Sequence, residues 1–121
     1  MSSEYPAAPS ARVALAGVAE RVVARMAGVA LTGGDGGVWQ TVDHGRGIRG
    51  VTTVAQPDGR FELTVHVVVA WPPEPLPKLA DDLRRRIHAA AKLALLDGSL
   101  GAIDVDIVSL YEPEPAAGDR P

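Results

Sequence analysis

The chain has 121 residues, a formal net charge of −3 with neutral histidines, and no cysteine. This length is typical of one domain that buries roughly two-thirds of the surface of its unfolded chain, without help from a disulfide or a metal. The absence of cysteine excludes disulfides, thiolate nucleophiles and cysteine-bearing zinc sites, and the acidic balance excludes a molecule-wide electrostatic footprint for nucleic acid or an anionic membrane.

The two ends of the chain have compositions that do not support a packed core. Residues 1–10 and 113–121 combine prolines with small or polar residues, so the burial they offer cannot offset chain entropy. We predict a disordered lead over 1–10, one folded domain over 11–112 and a disordered tail over 113–121. No secretory signal is visible, and the apolar runs are far shorter than the ~20 residues of a spanning helix, so no direct membrane span is expected.

The first part of the domain is predicted to hold a short strand, a helix and a long loop. Residues 12–15 form an apolar piece that indicates an edge strand. Residues 16–27 keep the spacing of an amphipathic helix, and Gly28 suits its C′ position because glycine adopts the left-handed conformation without steric cost. Residues 32–50 are dense in glycine, and we interpret them as a long loop, the least ordered region in the interior of the chain.

The most regular pattern in the sequence predicts a β-hairpin. Its strands are 48–55 and 61–71, and Gln56-Pro57-Asp58-Gly59 between them carries turn chemistry. In the second strand the odd positions are apolar and the even positions are polar as far as His66, which is the period of a strand with one buried face. Val68 breaks the polar run, which favours a central strand that is partly covered on both faces.

The last part of the domain predicts a connector, a helix and a strand. Four prolines make 71–77 a stiff connector. The helix that follows carries one apolar stripe, formed by Leu79, Leu83, Ile87, Ala90, Ala91 and Ala94, and Asp97-Gly98 is expected to end it. From Ile103 to about Tyr111, apolar residues alternate with Asp104 and Asp106, which predicts a half-buried strand.

These elements, in the order β-α-β-β-α-β, predict an α+β domain of two layers. Both helices are expected on one face of a mixed or antiparallel sheet. A strand, a helix and a strand joined by short links favour parallel neighbours with a right-handed crossover, which suggests a split βαβ layout for the second half. The pattern leaves the strand order open.

Three segments of the chain resemble the alkaline shock protein family of envelope stress response proteins. They are ARVALAGVAERVVARMAGV with its closing Gly28-Val29 pair, the strand TVHVVVAW, and LADDLRRRIHAAAKLAL with GSLGAIDVDIVSL after it. The likeness covers about residues 11–111 and rests on a hydrophobic pattern with two glycine landmarks. Trp71-Pro72-Pro73 stands where the family commonly has a tyrosine-glycine-like turn, and the loop over 33–50 is longer than usual.

The resemblance implies a small bacterial, cytoplasmic protein without catalytic activity that acts by protein–protein contact in cell-envelope homeostasis and stress response. The expected partner is a protein, which can be a membrane-anchored one that holds this chain at the membrane, or a second copy of this chain. Neither a cofactor nor a nucleic acid is expected.

The histidines and paired acids offer little support for catalysis. His44, His66 and His88 fall on a loop, a strand and a helix, without the spacing of metal ligands, so solvated or hydrogen-bonded histidines are the simpler interpretation. Asp104 and Asp106 share a strand face, where a polar outer surface explains them better than a catalytic carboxylate pair. The order of residues matches no nucleophile motif, and we predict no catalytic, cofactor-binding or metal-binding residues.

An alternative function, a small RNA-binding module, rests on the Gly/Arg loop 45–50. Its glycines allow close approach to phosphate, Arg46 and Arg49 could fork onto it, and Gly47–Gly50 fits the Gly-x-x-Gly pattern of the KH clamp. That clamp joins two helices, whereas this segment enters a strand, so a solvated loop is favoured. Arg84 and Arg85 are candidates for anion or partner contact, although Arg84-Arg85-Arg86 spread over roughly 200° of a helix and favour a solvated face.

Overall fold

A computed structural model of the chain describes residues 10–43 and 45–113 and confirms the α+β class. His44 and nearly all of the predicted lead and tail lie outside the described residues. The elements in chain order are α1 (Ala11–Ala24), β1 (Val29–Leu31), β2 (Gln40–Asp43), β3 (Arg46–Arg49), β4 (Val51–Ala55), β5 (Phe61–Ala70), α2 (Leu76–Leu93) and β6 (Leu100–Tyr111). Two short 3₁₀ turns cover Asp35–Gly37 and Asp97–Ser99.

Strand β5 is the centre of the main sheet, as its pattern predicted. Strand β6 lies parallel along one edge of it, while β4 and β1 pair antiparallel with the two halves of the other edge. These two strands meet at His66, whose N–H donates to Gly50 O (2.8 Å) and whose carbonyl accepts from Thr32 N–H (2.9 Å). The parallel neighbours are confirmed, but the split layout is wrong, because β5 and β6 pair directly with no strand between them.

The core lies between the helices and the odd-numbered face of β5. On this face of β5, Leu63, Val65, Val67 and Val69 are at most 4% exposed, and they pack against buried residues of both helices. The two helices therefore cover one face of the sheet, as predicted. The stripe of α2 is confirmed at the buried positions Leu79, Leu83, Ile87 and Ala91, and Ala90 packs partly buried against the core. Ala94 is exposed as the C-cap, since the helix ends at Leu93, before the predicted Asp97-Gly98 stop.

The predicted strand over 12–15 is wrong, because these residues form the first turn of α1. Ser10 is the N-cap of this helix, and its side-chain oxygen accepts a hydrogen bond from Val13 N–H at 3.3 Å. The short strand of this region follows the helix, as β1, so the predicted order β-α-β-β-α-β is corrected at its start. Gly28 is left-handed at φ 74°, as expected, but it lies three residues beyond the C-cap Arg25 and leads into β1.

The predicted loop over 32–50 contains regular structure. After the 3₁₀ turn, β2 and β3 form an antiparallel hairpin in which Gln40 pairs with Arg49 and Asp43 with Arg46. The Thr41 hydroxyl donates to Val51 O at 2.7 Å, which joins this hairpin to β4. The predicted strand over 48–55 is broken at Gly50, whose φ of 85° interrupts the extended backbone between β3 and β4.

Candidate functional site

The sheet face that the helices leave uncovered carries a cluster of four side chains, Trp39, Thr52, His66 and Asp106. The imidazole of His66 lies between two polar partners, with Nδ1 at 2.8 Å from Asp106 Oδ2 and Nε2 at 3.0 Å from Thr52 Oγ1. The indole of Trp39 stacks on the imidazole with a centroid distance of 4.4 Å and an angle of 5° between the planes. We call this set the His66 cluster.

Strand register brings the His66 cluster together. His66 and Asp106 are direct partners across the parallel β5–β6 pair, so both side chains point to the open face. Thr52 reaches His66 from β4, on the other side of β5. Trp39 approaches from the segment before β2, where its N–H donates to Gly33 O and its carbonyl accepts from Gly50 N–H.

A glycine makes room for the indole. A Cβ at Gly34 would lie 2.8 Å from Trp39 Cε3, and the φ of 72° at this position also disfavours other residues. The stack of Trp39 on His66 therefore depends on the glycine-rich turn, which the sequence pattern presented only as a loop.

The His66 cluster has the atom order of a nucleophilic triad, hydroxyl to imidazole to carboxylate, but not its accessibility. Because a carboxylate only accepts, Nδ1–H of a neutral His66 donates to Asp106, and Nε2 then accepts from the Thr52 hydroxyl. His66 is 6% exposed, and the indole covers one face of its ring. The geometry fits a structural role, in which hydrogen bonds and stacking hold β4, β5, β6 and the Trp39 segment together. All buried side-chain nitrogens and oxygens among the described residues have hydrogen-bond partners, as such a role requires.

A second polar pair, Glu62 and Asp104, lies on the same face of the sheet. The side-chain hydrogen bond to Asp104 raises the pKa of Glu62 above 4.5, and desolvation and repulsion between the two carboxylates act in the same direction. The folded chain therefore holds a proton here more tightly than the unfolded chain does. The stabilisation from this pair is present below pH 4.5 and is lost as the pH rises through the raised pKa of Glu62.

We expect Glu62→Gln to remove this pH dependence, because the amide cannot ionise and can still donate a hydrogen bond to Asp104. The effect is measured by urea unfolding at several pH values from pH 4 to neutral pH. At each pH, the free energy of unfolding of the native chain is subtracted from that of the variant. This difference should increase as the pH rises above 4.5. Glu74→Gln, in the exposed connector, is the control and should give a constant difference; a constant difference for Glu62→Gln would contradict the shared hydrogen bond.

Arg46 and Arg49 lie on β3, where the structure does not bring them together. They are three residues apart on a strand, so their side chains leave opposite faces. The guanidinium of Arg49 lies over Gly33, where a Cβ would meet Arg49 Nε at 2.9 Å. The Gly47–Gly50 segment runs along β3 to its end and does not form the loop between two helices that a KH clamp uses.

The arginines of α2 are engaged within the chain. Arg84 donates to Ile103 O at 2.9 Å and to Asp81 Oδ1 at 3.0 Å. Arg85 and Arg86 both reach Asp82, at 3.5 and 3.0 Å. These ion pairs leave less positive charge for an external anion than the sequence suggested.

The two histidines that the structure describes lie in different layers of the fold. His66 lies on the open face of the sheet, whereas His88 is exposed on α2, in the other layer. Within residues 10–43 and 45–113, no group of three or more histidine, aspartate or glutamate side chains could hold a metal ion.

Four exposed apolar residues lie where β5 and β6 end. Trp71 N–H donates to Tyr111 O at 2.7 Å, which places Trp71 beside the last residues of β6. Trp71 is 55% exposed, and Val108, Leu110 and Tyr111 are each about 40% exposed. We call Trp71, Val108, Leu110 and Tyr111 the β6 patch. The outer edge of β6 pairs with no strand in the part of the chain that the structure describes. The alternating pattern of 103–111 predicted half-burial and did not show that this end is uncovered.

Comparison with protein-family models, with curated proteins and with solved structures gives no match for this chain. Within residues 10–43 and 45–113, neither helix combines the length and the hydropathy that a membrane span requires.

Proposed function

We propose that this protein is a non-enzymatic module of the alkaline shock protein type that acts by protein–protein contact in cell-envelope homeostasis. In this proposal the chain works in the cytoplasm, and a protein partner, which can be membrane-anchored, brings it to the envelope. The resemblance of three segments to that family motivates the setting, and the β6 patch motivates the mode of action.

The β6 patch is the observation that carries the proposal. Exposed apolar residues grouped at one end of a sheet are typical of protein interaction sites, and aromatic residues are enriched in such sites. The outer edge of β6, which pairs with no strand among the described residues, presents backbone N–H and C=O groups onto which an extended segment of a partner can add as a further strand. Trp71 and Tyr111 would then supply the side-chain contacts at the end of the added strand.

A pull-down from native membranes and from cytosol tests this function. We expect the native chain to recover a protein partner, and Trp71→Ala with Tyr111→Ala to reduce the recovery by tenfold or more, because truncation of two interface aromatics commonly costs 2 kcal/mol or more. Arg46→Ala with Arg49→Ala is the control variant, and its recovery of partner should equal that of the native chain.

Nucleic acid quantified in the same eluates tests the RNA-binding alternative. If Arg46 and Arg49 bound phosphates, their loss would remove about two units from the slope of log affinity against log salt. We expect no RNA or DNA to bind at moderate salt. Salt-sensitive RNA binding that the double arginine variant loses, together with unchanged recovery by the aromatic variant, would overturn the proposed function.

A further inference from the structure

The end of α2 has a leucine at a position that favours glycine. Leu96 N–H donates to Ala91 O at 2.8 Å and Leu95 N–H donates to Lys92 O at 3.1 Å, which is the Schellman pattern with Leu95 as the C′ residue. Its φ is 59°, and it is the one residue other than glycine with positive φ in the described part of the chain. A branched side chain is strained in this conformation.

The fold gives no reason for this leucine. Leu95 is 89% exposed and Leu93 is 88% exposed, so neither side chain is buried in the core. The turn does bring Leu96 against the core, but glycine at position 95 would make the same turn without strain. Strained backbone positions cluster at functional sites, and neighbouring exposed apolar side chains, here Leu93 and Leu95, mark interaction surfaces.

The exposed leucines stand beside a groove between the two helices. The groove has a volume of about 310 Å³, and its apolar lining includes Val18 and Val22 from α1 and Ala90 and Leu93 from α2. It passes along the last turns of α2, so Leu95 follows directly on its lining residue Ala94. A concave apolar groove between helices fits a row of side chains from a helix or peptide better than it fits a flat bilayer.

Two arginines line the same groove. Arg21 and Arg25 are four residues apart on α1 and repel each other, and neither forms a salt bridge within the described residues. This differs from α2, where Arg84, Arg85 and Arg86 all lie beside aspartates. Two arginines along an apolar groove, with no salt bridge among the described residues, are complementary to a ligand that is apolar and acidic.

We propose that the helix groove, with Leu93 and Leu95 at its end, docks an acidic amphipathic segment of a partner protein. Apolar side chains of the segment fill the groove and pack on the two leucines, while its carboxylates pair with Arg21 and Arg25. This surface lies on the helix layer and is separate from the β6 patch, so it does not depend on the proposed function. A chain with both surfaces can hold two partners at once.

The test uses a fluorescein-labelled probe peptide of two Leu-Glu-Glu-Leu-Leu-Glu-Glu heptads, and a matched peptide with lysine in place of each glutamate. Binding is measured by fluorescence anisotropy with the full chain. We expect the glutamate peptide to bind with an affinity that falls as salt rises, and the lysine peptide not to bind. Absence of binding by the glutamate peptide, or equal binding by both peptides, would overturn the proposal.

Leu95→Gly separates a contact role from a structural one. The change removes an exposed side chain and relieves the strained turn, so we expect the melting temperature to rise while the affinity for the glutamate peptide falls about tenfold. Arg21→Gln with Arg25→Gln should weaken binding and flatten its salt dependence. Val54→Ser, which removes an apolar side chain that is 59% exposed on β4, is the control and should leave the affinity unchanged.

Two results for the leucine would contradict the proposal. A lower melting temperature for Leu95→Gly would mean that Leu95 serves the fold. Co-sedimentation of the native chain with phosphatidylglycerol vesicles that Leu95→Gly loses, without binding of the glutamate peptide, would assign this surface to the membrane.

Discussion

Val67→Asp is expected to prevent the chain from folding. Val67 is fully buried on the face of β5 that packs against the helices, and the core around it is apolar. A carboxylate there must be buried without a partner or be protonated, and either state costs several kcal/mol. Total stabilities of domains are about 5–15 kcal/mol, so this cost removes most or all of the stability. Circular dichroism and urea unfolding should show no cooperative transition.

The same chemical change at an exposed strand position separates burial from strand propensity. Val42 on β2 is 48% exposed, and we expect Val42→Asp to change the free energy of unfolding by about 1 kcal/mol or less. Ile87→Asp repeats the experiment from the helix layer, since Ile87 is also fully buried. Cooperative folding of Val67→Asp or Ile87→Asp would mean that the helices do not cover this face of β5.

Local sequence patterns correctly predicted the elements that depend on a single buried face or on a single turn. The alternation along β5, the Gln56–Gly59 turn and the stripe of α2 depend on nearby residues and were confirmed. The start of α1 was missed, because a short apolar piece at 12–15 is compatible with a helix or a strand. Ser10 was the available signal, since serine before an apolar run is a common N-cap.

The His66 cluster could not be predicted from local pattern. His66 and Asp106 meet because α2 connects β5 to β6 and β6 pairs with β5 in one particular register. That register depends on the packing of the whole segment of forty residues that separates His66 from Asp106. Trp39 directly precedes a hairpin whose strands have four residues each and which the Thr41 hydroxyl joins to β4. The sequence placed His66 and Asp106 on polar faces, but it contained no information about which residues they would contact.

Gly50→Ala is expected to be the most damaging of the glycine substitutions. Gly50 has φ 85°, and a Cβ there would lie 2.6 Å from Leu31 Cβ and 3.2 Å from Thr32 N, so β1 and β4 could not both keep their places beside His66. The left-handed conformation costs alanine about 1 kcal/mol, and a clash against packed atoms adds roughly 1–3 kcal/mol. We expect a fall in melting temperature of roughly 10–20 °C, measured by circular dichroism.

Gly59→Ala is the matched control for this steric effect. Gly59 has the same φ of 85°, in the turn between β4 and β5, but a Cβ there would meet nothing within 4 Å. Both substitutions restrict the unfolded chain equally and impose the same left-handed conformation on alanine, so these contributions cancel when the variants are compared. The remaining difference measures the clash with Leu31 and Thr32. We expect Gly59→Ala to lose only about 1 kcal/mol. Equal losses for the two variants would show that the end-to-end junction of β1 and β4 is not closely packed at Gly50.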